Sequence, residues 1–129
     1  MQIGIPRETR DGEARVAATP ETVKRYAAAK HRVCVERGAG MAARFPDQAY
    51  EEAGAQLCDA ADALGSELVL KVRAPSPDEL PRMKAGSVVA GMLDPYDTDG
   101  LAAMAQAGLT AFSLELAPRI TRAQSLDVL

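Results

Sequence analysis

Few side chains in this 129-residue sequence combine the types and neighbours that nucleophilic or metal chemistry requires. His31, the only histidine, has no acidic residue or nucleophile next to it, which favours a surface position over a catalytic one. Cys34 and Cys58 are the only cysteines, and a metal site would need more Cys or His residues nearby. The sequence therefore predicts neither a hydrolytic triad nor a zinc site, and we expect both cysteines to be buried, reduced thiols.

A charged segment, residues 7–16, follows the first apolar run of the chain. A solvated loop is the ordinary interpretation of such a segment. Arg15 stands out because a guanidinium beside an apolar pair at the ligand edge of a parallel sheet can clamp a carboxylate through two hydrogen bonds.

A second polar segment, residues 118–127, contains Arg119, Gln124 and Asp127 where a loop enters a helical pattern. Gln124 and Asp127 are three residues apart and would share one face of a helix. These side chains suit hydrogen bonds to an amide and to ribose hydroxyls. They suit helix capping and surface ion pairs equally well, and the residues alone leave both interpretations open.

The run Gly38-Ala39-Gly40 resembles the start of a dinucleotide-binding fingerprint. The third glycine of that fingerprint is replaced by Ala43, and no helix clearly begins at the loop. A plain turn is therefore favoured, and any pyrophosphate site is expected elsewhere.

Short apolar runs alternate with helical patterns along the whole chain. This alternation predicts an open, doubly wound α/β domain, Rossmann-like or flavodoxin-like, with a mostly parallel sheet and helices on both faces. Ligands of such folds bind at the carboxyl ends of the strands. About six strands are predicted: Gln2–Ile5, Arg32–Glu36, Gln56–Cys58, Leu68–Val72, Ser87–Leu93 and Leu109–Leu114. The main predicted helices are residues 20–30, 47–53, 60–64 and 98–107, and a brief helix is predicted at 78–83.

Composition argues against nucleic-acid binding by the chain and against a membrane-spanning segment within it. The net charge is −3, no block of like charge occurs, and aromatic residues make up 4% with no Trp, so nucleic-acid binding is not expected. No apolar run approaches the length of a membrane span. A last helical pattern begins at Thr121 and is unfinished at Leu129, so we expect the natural protein to continue.

The opening of the chain resembles the alanine dehydrogenase and NAD(P) transhydrogenase family. The residues that carry the resemblance are the runs 3–8 and 13–20, with similar motifs at 38–40, 53–55, 70–75 and 118–125. The resemblance extends over all 129 residues and implies an N-terminal domain of a longer subunit. The NAD-pyrophosphate-binding second domain of that subunit would be absent here.

Two positions separate the branches of this family. Alanine dehydrogenases carry a Lys at the place of Arg73 and a catalytic His at the place of Asp94, because imino-acid chemistry needs a carbonyl polariser and a general acid or base. The resemblance therefore favours the transhydrogenase branch, with Arg15 and Arg73 as remnants of a substrate site and no catalytic residue of the acid–base type. In this interpretation Arg15 has a structural role.

The transhydrogenase branch implies hydride transfer between NADH and NADP⁺, with NADP(H) on a partner domain. Carried over by position, Arg119 reaches the nicotinamide carboxamide, Gln124 approaches the facing NADP ribose, and Asp127 helps to fix the NAD nicotinamide. The implied partners are the second domain, an NADP-binding domain and the membrane subunit of a proton-translocating complex, with a homodimer at its cytoplasmic face. The 129 residues alone are expected to be inactive.

Two alternatives remain open. One is an NAD-dependent alanine dehydrogenase relative with rearranged substrate residues. The other is a non-catalytic domain that binds another subunit or a small acid.

Overall fold

The computed structural model describes residues 1–94 and 96–114. Within these residues the chain forms six strands and four α-helices. In chain order they are β1 (Gln2–Ile5), α1 (Pro20–Ala28), β2 (Arg32–Glu36), α2 (Asp47–Glu52), β3 (Gln56–Cys58), α3 (Ala60–Leu64), β4 (Leu68–Arg73), β5 (Val88–Met92), α4 (Thr98–Gln106) and β6 (Thr110–Ser113).

The six strands form one sheet in the order β3-β2-β1-β4-β5-β6, and every pair is parallel. The predicted open α/β architecture is confirmed. The order is that of the Rossmann fold, and the direction of winding reverses between β1 and β4. Ligands of sheets with this order bind in the crevice at that reversal, beyond the carboxyl ends of the strands.

Side-chain alternation along the strands separates two apolar layers. Ile3, Ile5, Val33 and Val35 pack on the face that carries Val23 of α1 and Tyr50 of α2. Val69 and Val89 face the other way, where they pack with Leu64 of α3 and Met104 of α4. Helices thus cover both faces of the sheet, as predicted.

Local signals determine where the helices begin. The Thr19 side chain accepts a hydrogen bond from the Thr22 N–H, and Pro20 occupies the first turn of α1. Asp97 caps α4 in the same way by accepting from the Gly100 N–H. The predicted helix at 78–83 is reduced to a 3₁₀ turn over Leu80–Arg82 because Pro81 cannot continue an α-helix.

One buried hydrogen bond ties α2 to the segment before α1. The Tyr50 hydroxyl donates to the Ala18 carbonyl at 2.8 Å, and Tyr50 is fully buried. Burial, with a further contribution from Asp47, raises the pKa of Tyr50 to about 12. This bond holds the end of the loop after β1, at Ala18, against α2.

The expectation of reduced thiols is wrong. The structure joins Cys34 of β2 and Cys58 of β3 in a disulfide, with their Cα atoms 6.1 Å apart. The parallel register aligns Cys34 with Gln56 and Glu36 with Cys58, so both cysteines lie on the face that packs against Ala63. This pairing depends on the neighbouring positions of two strands, which a sequence separation of 24 does not reveal.

The helical pattern that begins at Thr121 lies outside the described residues. Among the residues that are described, no helix is long and apolar enough to cross a membrane.

Alkylation of the chain unfolded in urea, where buried thiols would also be accessible, tests the disulfide. Without reductant we expect no thiol to react, and after reduction both Cys34 and Cys58 should be labelled, as read by intact mass. Reduction should lower the free energy of unfolding by about 3 kcal/mol, because it releases a constraint on the unfolded chain. The double variant Cys34→Ala/Cys58→Ala should show no response to reductant. Labelling of both thiols in the unreduced chain would contradict the assignment.

Candidate functional site

The loop after β1 is joined to the end of β4 by one carboxylate. Glu8 accepts the Val72 N–H at 2.9 Å on one oxygen and the Arg73 N–H at 3.1 Å on the other. The register between β4 and β5 shifts between Leu70 and Arg73, and such a bulge removes backbone groups from the ladder. Glu8 therefore accepts hydrogen bonds from backbone N–H groups at the bulge. The bulge lies in β4, next to the point where the winding of the sheet reverses.

A buried ammonium reinforces this junction. Lys71 Nζ lies 3.3 Å from a Glu8 oxygen and 3.2 Å from a Glu79 oxygen, and the side chains of Lys71 and Glu8 are 1% and 2% exposed. Glu79 also accepts the Ser76 N–H at 2.9 Å. We call Glu8, Lys71 and Glu79 the buried ion cluster. It connects the loop after β1, strand β4 and the loop after β4.

The buried ion cluster was not predicted from the sequence. A signal was present, because Lys71 interrupts the otherwise apolar run of β4. A lysine within a strand that is buried on both faces needs a carboxylate partner, since an unpaired buried charge is strongly unfavourable. The sequence does not show which carboxylates supply that pairing.

The structure brings Arg15 and Arg73 together on one carboxylate. Arg15 binds Glu13 through two bonds, Nε to Oε2 at 3.0 Å and Nη2 to Oε1 at 2.9 Å. Arg73 Nε donates to Glu13 Oε1 at 2.9 Å. We call Glu13, Arg15 and Arg73 the arginine cluster. Its two guanidinium groups are about half exposed, whereas the Glu13 side chain is 5% exposed.

Hydrogen bonds dominate the electrostatics of the arginine cluster. The Arg15 side chain, then its backbone N–H, and then Arg73 hold the pKa of Glu13 well below its usual value of 4.5. Glu13 in turn raises the pKa of Arg15. The cluster is a permanently charged group with one excess positive charge, which suits positioning of polar groups rather than proton transfer.

Asp94 follows β5 and has a left-handed backbone with φ 53°. Its Oδ1 accepts the Tyr96 N–H at 3.2 Å, so it organises its own loop. His31 precedes β2 and lies at the opposite edge of the sheet from the carboxyl ends of the strands. The ligand edge of the described residues thus contains arginines and carboxylates but not the single histidine of the chain.

The run Gly38-Ala39-Gly40 forms a turn, in agreement with the favoured interpretation. Gly38 has φ 82°, and its N–H donates to Asp47 Oδ1 at 2.9 Å. A Cβ on Gly40 would come within 2.6 Å of the Tyr50 ring, so close packing requires a glycine there. The turn is followed by a single 3₁₀ turn, Met41–Ala43, and not by an α-helix that could receive a pyrophosphate.

An apolar cavity of about 550 Å³ lies beside the arginine cluster at the carboxyl ends of β4 and β5. Its lining includes Arg15 with Val16, Ala17, Phe45, Val72, Met92 and Leu114. Among the described residues, no group of Cys, His, Asp and Glu is arranged to hold a metal ion. Arg119, Gln124 and Asp127 lie outside the described residues, so their predicted roles remain predictions.

The family profile "Alanine dehydrogenase/PNT, N-terminal domain" matches residues 4–129. The chain is 38% identical to the NAD(P) transhydrogenase subunit alpha of Cereibacter sphaeroides over 132 residues, covering all of this chain and 25% of that protein. It is 38% identical to the alanine dehydrogenase of Bacillus subtilis over 117 residues, covering 89% of this chain and 31% of that protein.

The structure of transhydrogenase from Sinorhizobium meliloti superposes on the fold with a TM-score of 0.92 at 48% identity. That match covers all of this chain and 39% of the solved one. The chain thus spans a quarter to about two-fifths of the length of these relatives.

Replacement of the buried ammonium tests whether the ion cluster supports the fold. Lys71→Met leaves Glu8 and Glu79 buried without a cation, so the free energy of unfolding should fall by about 3–5 kcal/mol in urea denaturation. Lys84→Met, at an exposed position, is the matched control and should change it by less than about 0.5 kcal/mol. Equal effects of the two substitutions would show that the cluster is dispensable.

The arginine cluster predicts a pH-dependent difference between the chain and Glu13→Gln. Because the folded pKa of Glu13 lies below its unfolded value, the stabilisation from its ionised form is complete above about pH 4.5. It is lost as the pH falls from there through the folded pKa. The stability difference between the two proteins should therefore be constant near neutral pH and shrink in acid.

Urea denaturation as a function of pH measures this difference. Glu21→Gln is the control, because Glu21 forms an exposed pair with Arg25 at 3.6 Å. A difference that grows as the pH falls below 4.5 would contradict the assignment.

Proposed function

The chain belongs to the alanine dehydrogenase/PNT N-terminal domain family, and from this premise we propose that it forms part of the NAD(H)-binding component of a proton-translocating NAD(P) transhydrogenase. In that component, hydride passes directly between NADH and NADP⁺ at a cleft shared with a second domain. The NADP(H) is held by a partner domain.

The observation that carries this proposal is the set of side chains at the carboxyl ends of β4 and β5. Arg73 stands where the dehydrogenase branch has a Lys, and Asp94 stands where it has a catalytic His. Arg73 is bound to Glu13, and Asp94 caps its own loop. Reduction of an imino acid needs a group that delivers a proton, whereas hydride transfer between two nicotinamides needs positioning alone.

The described residues fit the nicotinamide end of a dinucleotide. Val16, Val72 and Met92 line the apolar cavity and would pack against an uncharged ring. Arg15, which also lines the cavity, has N–H groups that can donate hydrogen bonds. When bound, the two nicotinamides supply the hydride chemistry themselves. The chain would contribute orientation and exclusion of water.

Three further residues complete the proposed contacts. We assign Arg119 to the nicotinamide carboxamide, Gln124 to the side facing the NADP ribose, and Asp127 to fixation of the NAD nicotinamide. Support comes from the resemblance of residues 118–125 to the transhydrogenase branch. The pyrophosphate site would lie on the second domain, because the turn at Gly38–Gly40 is not built for one.

The remaining partners are also part of the proposal. A membrane subunit and the NADP-binding domain would complete the complex, with this domain in a homodimer on the cytoplasmic side. The chain matches 25% of the length of the Cereibacter sphaeroides subunit, which supports an assembly with further domains.

A chain extended past Leu129 tests the reaction. NADH oxidation is measured with an NADP analogue plus the NADP-binding partner, and separately with pyruvate plus ammonium. We expect turnover only in the first assay. Turnover with pyruvate would instead establish the alanine dehydrogenase alternative. The positive charges of Arg15 and Arg73 are the observation that favours this alternative. No turnover in either assay would favour a non-catalytic binding domain.

Arg119→Ala in the same extended protein should reduce hydride transfer at least about tenfold, because it removes a charge-assisted hydrogen bond to the carboxamide. Arg25→Ala on the exposed surface of α1 is the matched control and should leave the rate unchanged.

The 129-residue chain alone should bind NADH poorly, because the proposed pyrophosphate site lies on the second domain. A micromolar dissociation constant for NADH would contradict that division of the binding site between the two domains.

A further inference from the structure

A polar crevice of about 650 Å³ lies at the reversal of the sheet, on the side of α3. Residues from three strand ends line it: Arg7 and Arg10 after β1, Glu36 at the end of β2, and Arg82 after β4. Ala60 and Leu64 of α3 form part of its wall. It is separate from the apolar cavity, which Val16, Val72 and Met92 line.

Several of the carboxylates in this crevice are already neutralised. Glu8 and Glu79 share the Lys71 ammonium, and Glu13 holds two guanidinium groups. In contrast, Arg7, Arg10 and Arg82 form no ion pair within residues 1–94 and 96–114. All three are exposed, so their guanidinium groups are available to a ligand. The fork of a guanidinium matches the oxygens of a phosphate.

Glu36 adds a second kind of recognition. In sheets with this strand order, an acidic residue at the end of β2 accepts hydrogen bonds from ribose hydroxyls. Glu36 is the last residue of β2, and its Oε1 accepts the Arg7 N–H at 2.9 Å, which orients the carboxylate. A carboxylate has about four acceptor sites, so this bond leaves capacity for ligand hydroxyls.

We propose that this crevice binds a small sugar phosphate, with the phosphate on Arg7, Arg10 and Arg82 and a sugar hydroxyl on Glu36. Asp11 and Asp78 also line the crevice, and their carboxylates favour a ligand that carries hydroxyls over a bare polyanion. Helix α1 begins only at Pro20, so the arginines replace the glycine-rich loop and helix terminus that hold the pyrophosphate of a dinucleotide. The site goes beyond the proposed hydride transfer and needs none of its residues.

Calorimetry with the 129-residue chain tests the site, with ribose 5-phosphate as the probe and ribose and inorganic phosphate as separate arms. We expect ribose 5-phosphate to bind more tightly than either fragment. Arg10→Gln and Arg82→Gln should each weaken its binding about tenfold or more, the loss expected for one charge-assisted hydrogen bond. Glu36→Gln should weaken the binding of ribose 5-phosphate, because it removes a hydroxyl acceptor, and should not weaken the binding of inorganic phosphate, because it also removes a negative charge.

Arg25→Gln and Glu21→Gln are the matched controls, because this exposed pair on α1 lies outside the crevice. Absence of saturable binding at millimolar ribose 5-phosphate would overturn the proposal, as would unchanged binding by both arginine variants. Inorganic phosphate that binds as tightly as ribose 5-phosphate would overturn the sugar assignment. None of these results alters the hydride-transfer assay of the extended protein, so the two proposals fail independently.

Discussion

The ligand edge of this domain depends on the burial of one ammonium group. Removal of a charge from water costs several kcal/mol, so Lys71 can remain in β4 only while carboxylates stay beside it. Glu8 and Glu79 supply them from loops on either side of the reversal of the sheet. The requirement to pair Lys71 therefore fixes both loops, and with them the residues that the loops present to a ligand.

Two glutamates of the loop after β1 have different roles, one in the interior and one at the surface. Glu8 is buried and joins the loop to the backbone of Val72 and Arg73. Glu13, five residues later, gathers the Arg15 and Arg73 guanidiniums at the surface. Because Glu8 binds the backbone N–H of Arg73 and Glu13 binds its side chain, Arg73 connects the surface cluster directly to the buried one.

This arrangement favours positioning over proton transfer. An arginine remains protonated at any physiological pH, so neither Arg15 nor Arg73 can exchange protons with a substrate. Beside them lies an apolar cavity, and on the α3 side lies a polar crevice. The reversal of the sheet thus separates two environments, one suited to an uncharged ring and the other to phosphate and hydroxyl groups.

The sequence by itself determined the local structure, because capping and side-chain periodicity act within a few residues. Thr19 and Pro20 marked the start of α1, and the alternation of apolar runs predicted each described strand and the class of fold. The tertiary structure alone decided which residues are in contact: Cys34 with Cys58, Lys71 with Glu8, and Arg73 with Glu13. The last two pairs are separated by 63 and 60 positions in the sequence. Periodicity reports which face of an element is buried but not which strand becomes its neighbour, and these contacts exist only because the strand order places β1 beside β4 and β2 beside β3.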